Sequence, residues 1–259
     1  MTRILAVTNQ KGGVGKTTTS VNVAASLAQS GMRVLLVDLD PQGNATMGSG
    51  IDKRTLRTSI YQVLLGLATA DSARQKSESG GYDLIPANRD LAGAEVELVE
   101  LEHRETRLKG ALESVAGQYE FILLDCPPAL NILTLNGLVA ANAVMIPMQC
   151  EYYALEGLSD LVNTIKKIRQ HLNPKLDIEG LLRTMYDPRN ALAQQVSAQL
   201  KEHFGKKVYE TVIPRNVRLA EAPSFGAPAV NLDRECKGSQ AYVALAGEIL
   251  SRNGIAAAV

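Results

Sequence analysis

Gln10-Lys11-Gly12-Gly13-Val14-Gly15-Lys16-Thr17 follows an apolar β-type run at residues 4–8 and opens a helical stretch at residues 16–30, which Gly31 stops. Glycines let a backbone curl until successive N–H groups point inward, and the helix N-terminus adds positive potential, so this segment is built to cradle phosphate oxygens. Within the cradle Lys16 reaches the β- and γ-phosphates, the Thr17 hydroxyl binds Mg²⁺, and Gly12, Gly13, Val14, Gly15 and Thr18 contribute backbone around them. The usual pattern GxxxxGK[ST] asks for glycine at position 10, where this chain has Gln10; it carries Lys11 instead. A second lysine directly before the glycines stands too close to the phosphates to be read as an ordinary solvated charge.

Outward from this loop, short apolar runs alternate with helical stretches. Strands are expected at residues 4–8, 34–38, 82–86, 121–125, 143–147, 178–184 and 208–213, and helices at 16–30, 104–115, 155–172, 191–204 and 239–252. Val34-Leu35-Leu36-Val37 and Phe121-Ile122-Leu123-Leu124 are apolar without alternation, which means burial on both faces. The expected fold is therefore α/β: a doubly wound, mostly parallel sheet flanked by helices, in one domain spanning residues 1–259. Ser77-Glu78-Ser79-Gly80-Gly81 reads as a surface loop.

Composition excludes several classes. Lys plus Arg and Asp plus Glu number 27 each, so no global field attracts nucleic acid or an anionic membrane, and polyanion binding requires a local patch. Cys126, Cys150 and Cys236 are widely spaced and lack CxxC pairing, which argues against a disulfide framework or structural zinc. No run approaches the ~18 apolar residues that would span a bilayer, and Met1-Thr2-Arg3-Ile4-Leu5-Ala6-Val7 lacks a signal-peptide pattern, so a cytoplasmic location is expected.

Three carboxylates stand at strand ends. Asp38 and Asp40 alternate with Leu39, which in extended geometry turns both to one side at the C-terminal end of a strand, where open α/β sheets place ligands. Asp40 is expected to position the hydrolytic water and Asp38 to contact a magnesium water. Asp125 ends its strand as a Walker B carboxylate does and is expected to hold the magnesium shell. Lys11, Lys16 and Asp40 form the candidate catalytic set.

Lys11-Gly12-Gly13-Val14-Gly15-Lys16-Thr17 resembles the deviant Walker A motif of the ParA/MinD superfamily of P-loop ATPases. Val37-Asp38-Leu39-Asp40-Pro41-Gln42-Gly43-Asn44, Asp125-Cys126-Pro127-Pro128, Gln149-Cys150-Glu151-Tyr152-Tyr153-Ala154-Leu155-Glu156-Gly157 and Ile213-Pro214-Arg215-Asn216-Val217-Arg218-Leu219 narrow the resemblance to the chromosome-partitioning ParA (Soj) type, across nearly the whole chain. The resemblance implies an ATP- and Mg²⁺-dependent hydrolase that forms a homodimer around its nucleotides, with Lys11 crossing to the partner's ATP. It also implies that the adenine lies against Pro214, Arg215 and Asn216, with Met185 nearby. A strand-ending proline and a core methionine account for Pro214 and Met185 equally well.

Arg189 and Arg218 match positions that the resemblance connects with non-specific binding of double-stranded DNA by the dimer, and hence with association with the nucleoid. Lys166, Lys167 and Arg169 read as a solvated helix face. The leading expectation is a DNA segregation ATPase released from DNA after hydrolysis stimulated by a ParB-type partner. A MinD-like membrane-positioning ATPase needs a basic amphipathic helix, and Leu250-Ser251-Arg252-Asn253-Gly254-Ile255-Ala256-Ala257-Ala258-Val259, with one arginine and a glycine, makes a poor anchor, so no membrane partner is expected. An iron–sulfur ATPase of related fold is the third class, through Cys126 and Cys150. With only a short stretch before the first strand, an operator-reading helix-turn-helix domain, and with it operator-specific repression, is not expected.

Overall fold

The computed structural model describes residues 2–255; residues 256–259, the end of the stretch weighed as a membrane anchor, lie outside the described residues. The strands are β1 (Arg3–Val7), β2 (Val34–Asp38), β3 (Gln75–Ser77), β4 (Tyr82–Ile85), β5 (Phe121–Asp125), β6 (Ala143–Gln149), β7 (Asp177–Tyr186) and β8 (Val208–Pro214). The helices are α1 (Lys16–Gln29), α2 (Asn44–Gly48), α3 (Ile60–Leu65), α4 (Ala70–Ala73), α5 (Leu91–Glu97), α6 (Arg107–Glu113), α7 (Ile132–Ala140), α8 (Ala154–His171), α9 (Ala191–Phe204), α10 (Val217–Glu221), α11 (Ala229–Leu232) and α12 (Lys237–Arg252).

One sheet runs in the order β3-β4-β2-β5-β1-β6-β7-β8, parallel except for the edge pair β3 and β4. Its central strands divide their side chains between two cores: β2 sends Leu35 and Val37 to one and Val34 and Leu36 to the other, and β5 divides Ile122 and Leu124 from Phe121 and Leu123 in the same way. Helices α3 to α9 cover the first face; α1, α11 and α12 cover the second. This is the doubly wound architecture that continuous apolar strands require.

Departures from the expected elements have local causes. Ser77 belongs to strand β3, with the reversal confined to the residues after it, because its partner Tyr82 returns across a tight turn in which Gly81 adopts φ +75°. The helix expected from residue 104 begins at Arg107, after a 3-10 turn at Arg104–Thr106, where Asn136 of α7 accepts from the Leu108 amide (3.1 Å) and donates to the Arg104 carbonyl (2.8 Å). Helix α12 starts two residues early, because the Cys236 thiol caps the Ser239 amide. The short helices α2 to α5, α10 and α11, and α7 of nine residues, carry too few turns to show periodicity in the sequence.

Parallel pairing puts the C-terminal ends of β1, β2, β5, β6, β7 and β8 along one edge of the sheet. Every segment that the sequence marks for chemistry emerges there.

Candidate nucleotide-binding site

The loop between β1 and α1 is held open by backbone geometry. Gly13 (φ +73°) and Gly15 (φ +86°) occupy the left-handed region, where a side chain is strained. The Thr184 hydroxyl, at the end of β7, donates to the Val14 carbonyl at 2.8 Å and ties the loop to the sheet. Lys16, almost buried, folds back to donate to the Lys11 carbonyl at 3.1 Å. Burial holds its pKa below the usual lysine value, against the opposite pull of Asp125 and Asp40. Lys16 therefore sits with its charge desolvated beside two carboxylates, poised for a polyanion.

Asp125 and Asp38 are both completely buried. Asp125 accepts from the Thr17 and Ser20 hydroxyls, each at 2.8 Å. Asp38 uses one oxygen for the Asp40 amide (3.1 Å) and the other for the amide (2.9 Å) and hydroxyl (2.7 Å) of Thr46. Burial raises the pKa of both carboxyls, and the Asp38 charge raises that of Asp125 further. Crowded anionic oxygens beside a threonine hydroxyl are the hard donor set that Mg²⁺ takes, and a divalent cation would offset the charge that burial penalises, so these residues fit the ion. Asp40 is only partly buried; it accepts from the Gln42 amide at 2.9 Å, and its charge reaches Lys16.

Met185, Pro214, Arg215 and Asn216 line one cavity of about 170 Å³, which continues to Gly15 and Thr18 of the phosphate loop. Met185 holds φ +47°, uncommon for a side chain of this size, and its sulfur accepts from the Gln149 amide group. The Asn216 side chain caps α10 by accepting from the Arg218 and Leu219 amides. Tyr242 closes the cavity floor and pairs its hydroxyl with Thr19 at 3.1 Å.

Lys11, Arg189 and Arg218 lie on the outer surface. Lys11 Nζ pairs with Glu151, just after β6, at 2.5 Å. Arg189 is bound to Asp187 through two side-chain nitrogens (3.0 and 2.8 Å), and Arg218 bridges Glu221 and Asp233. Both arginines stand on segments leaving the cavity lined by Met185 and Pro214, Arg189 after β7 and Arg218 in α10. Thr184, Ser20, Thr46, Tyr242 and Glu151 were not singled out from the sequence. Glu151 lies within the segment Gln149–Gly157 that resembles the partitioning ATPases, whereas a serine, threonine or tyrosine in a helix or strand carries no signal of its own.

The cysteines do not resemble cluster ligands. Cys126 and Cys150 are buried, and burial raises the pKa of both thiols, to about 11 for Cys150. Buried within the single chain, neither sulfur faces outward to share a cluster with a second subunit. Among the described residues no three His, Cys, Asp or Glu gather as a metal site of their own.

A glycine loop between the central strand and α1, its lysine and threonine beside a buried strand-end aspartate, and a base-sized cavity alongside define a P-loop ATPase. A model of the AAA domain family matches residues 2–178. The chain is 53% identical to the chromosome partitioning protein ParA of Caulobacter vibrioides, over 96% of this chain and 94% of that one. It is also 53% identical to the sporulation initiation inhibitor protein Soj of Bacillus subtilis, over 96% and 98%. Among solved structures, cobyrinic acid a,c-diamide synthase from Mycobacterium smegmatis with bound ADP and magnesium superposes with TM-score 0.87 at 40% identity, covering 98% of this chain and 96% of that one. The septum site-determining protein MinD of Pyrococcus horikoshii, complexed with Mg-ADP, gives 0.79 at 26% identity, covering 98% of each. The chain belongs to the ParA/Soj family of chromosome-partitioning ATPases.

Proposed function

We propose that this ATPase binds ATP with Mg²⁺ at the β1–α1 loop, closes into a dimer around the nucleotides, holds DNA without sequence preference in that state, and lets go after hydrolysis. The observation that carries the reading is the convergence of Lys16, Asp40, Asp125 and the Thr17 hydroxyl at one sheet edge beside the base cavity. Phosphoryl transfer is mainly positioning plus charge stabilisation, and these residues divide that work. Lys16 and the loop amides hold the β- and γ-phosphates, Asp40 orients the attacking water, and Thr17 with Asp125 and Asp38 would hold Mg²⁺. The ion, when bound, neutralises charge on the phosphate oxygens. Lys11 supplies further positive charge from the second subunit.

DNA enters through Arg189 and Arg218. Few phosphate contacts bind weakly, so joining two half-sites by ATP converts nucleotide occupancy into DNA affinity. A ParB-type protein is the expected stimulator of hydrolysis, and the nucleoid the expected location. The partitioning relatives reach 53% identity, against 40% for the synthase structure and 26% for MinD, which favours this reading over a biosynthetic or membrane-positioning role. No described helix is long and apolar enough to cross a membrane. The deciding experiment is DNA retention with ATP, with ADP and without nucleotide at several salt concentrations: retention should require ATP and fall steeply with salt. Equal retention in all three states would reject the switch.

A further inference from the structure

We infer that Thr46 is a positioning residue for hydrolysis, acting on Asp40 through Asp38; the inference rests on the proposed role of Asp40. Thr46 is completely buried in α2 and its hydroxyl is used twice: it donates to Asp38 Oδ2 at 2.7 Å and accepts from the Ala87 amide at 2.9 Å. The Thr46 amide makes a second bond to the same Asp38 oxygen. The other Asp38 oxygen accepts from the Asp40 amide, so one carboxylate bridges α2 to the backbone that carries the water-orienting aspartate. The intervening turn passes close to the same anchor. Gly43 has φ +60°, and a Cβ there would lie 2.6 Å from the Ala87 carbonyl oxygen. The segment from Asp38 to Thr46 thus runs against Ala87, two residues after β4, and Thr46 supplies the hydrogen bond that holds it there.

Valine has the shape of threonine without the hydroxyl. Thr46→Val would leave Asp38 Oδ2 with a single donor and the buried Ala87 amide without an acceptor. Asp38 then gains freedom, the Asp40 amide loses a fixed acceptor, and the Asp40 carboxylate drifts. The phosphate loop is held elsewhere, by Thr184, and Thr17 and Asp125, which do not touch Thr46, remain to hold Mg²⁺, so nucleotide binding should be largely spared.

The test compares Thr46→Val and Thr46→Ser with the wild type. For Thr46→Val, turnover should fall by about 10- to 100-fold, the loss expected from a misplacement of about 1 Å, while the ATP Kd stays within about threefold. Thr46→Ser should recover most of the turnover, since it restores both hydroxyl bonds. Without nucleotide, amide hydrogen exchange across residues 39–43 should be faster in Thr46→Val and normal in Thr46→Ser. Wild-type turnover in Thr46→Val, or a loss that tracks ATP affinity and is not recovered by serine, overturns the inference. Asp40→Ala measured alongside separates the two levels. If it hydrolyses normally, the Asp40 assignment falls and takes this inference with it; if it is inactive while Thr46→Val is normal, only the inference falls.

Discussion

Lys11 Nζ lies 2.5 Å from the Glu151 carboxylate, a bridge that joins the outer rim of the phosphate loop to the segment after β6. Both side chains are about half exposed. Such a pair contributes about 0–1 kcal/mol, so Lys11 can leave it at little cost and reach a nucleotide in a second subunit. Glu151→Gln should therefore shift the melting temperature by no more than about 4 °C. A larger drop in a thermal melt would make the bridge a structural element and tie Lys11 to its own chain.

Lys16 is the loop's main cation and is nearly buried. Lys16→Ala should remove the β- and γ-phosphate contacts, and with them ATP binding, dimerisation and DNA retention. Calorimetric titration with ATP checks it; undiminished affinity would overturn the loop assignment.

Asp40 touches neither Thr17 nor the loop backbone through a hydrogen bond, so Asp40→Ala should leave the phosphate cradle intact. ATP should still bind, turnover should stop, and an ATP-bound dimer should accumulate on a sizing column. Wild-type hydrolysis with DNA and partner present would assign the water to another residue.

At Gly12 an added Cβ would meet nothing within 4 Å in the single chain. Gly12→Val should consequently fold and bind ATP. A loss that leaves ATP affinity unchanged then comes from a second molecule approaching this loop, and light scattering should show a monomer with ATP. A normal ATP-dependent dimer would reject close approach at this point.

Arg189 and Arg218 already carry carboxylate partners, so in the proposed DNA complex those partners would be exchanged for phosphates. Replacing either with Ala should weaken binding about equally for unrelated sequences, since phosphate contacts carry no base information. A dimer loses two copies of the arginine, and the slope of log affinity against log salt should become shallower by up to about 1.8, at ~0.9 per contact. ATP-dependent dimerisation is the control for folding. If both variants dimerise and keep wild-type affinity and slope, the contact surface lies elsewhere, with Lys166, Lys167, Lys206 and Lys207 the next residues to replace.

The sequence by itself determined the loop, the sheet and the strand-end aspartates, because each is a local property. Glycines at 13 and 15 permit the left-handed turns, and apolar runs such as Phe121-Ile122-Leu123-Leu124 demand cover on both faces. An aspartate directly after such a run falls at a strand's end whatever the rest of the chain does. Tertiary structure alone decided what those residues touch. Thr184 reaches Val14 across 170 positions, Tyr242 reaches Thr19 across 223, and Lys11 meets Glu151 across 140. A hydroxyl has no periodicity and no spacing that announces its partner. The Thr184 bond exists only after parallel pairing has brought the ends of β1 and β7 to one edge, and the pairing of β2 with β4 is what places the Ala87 amide against Thr46.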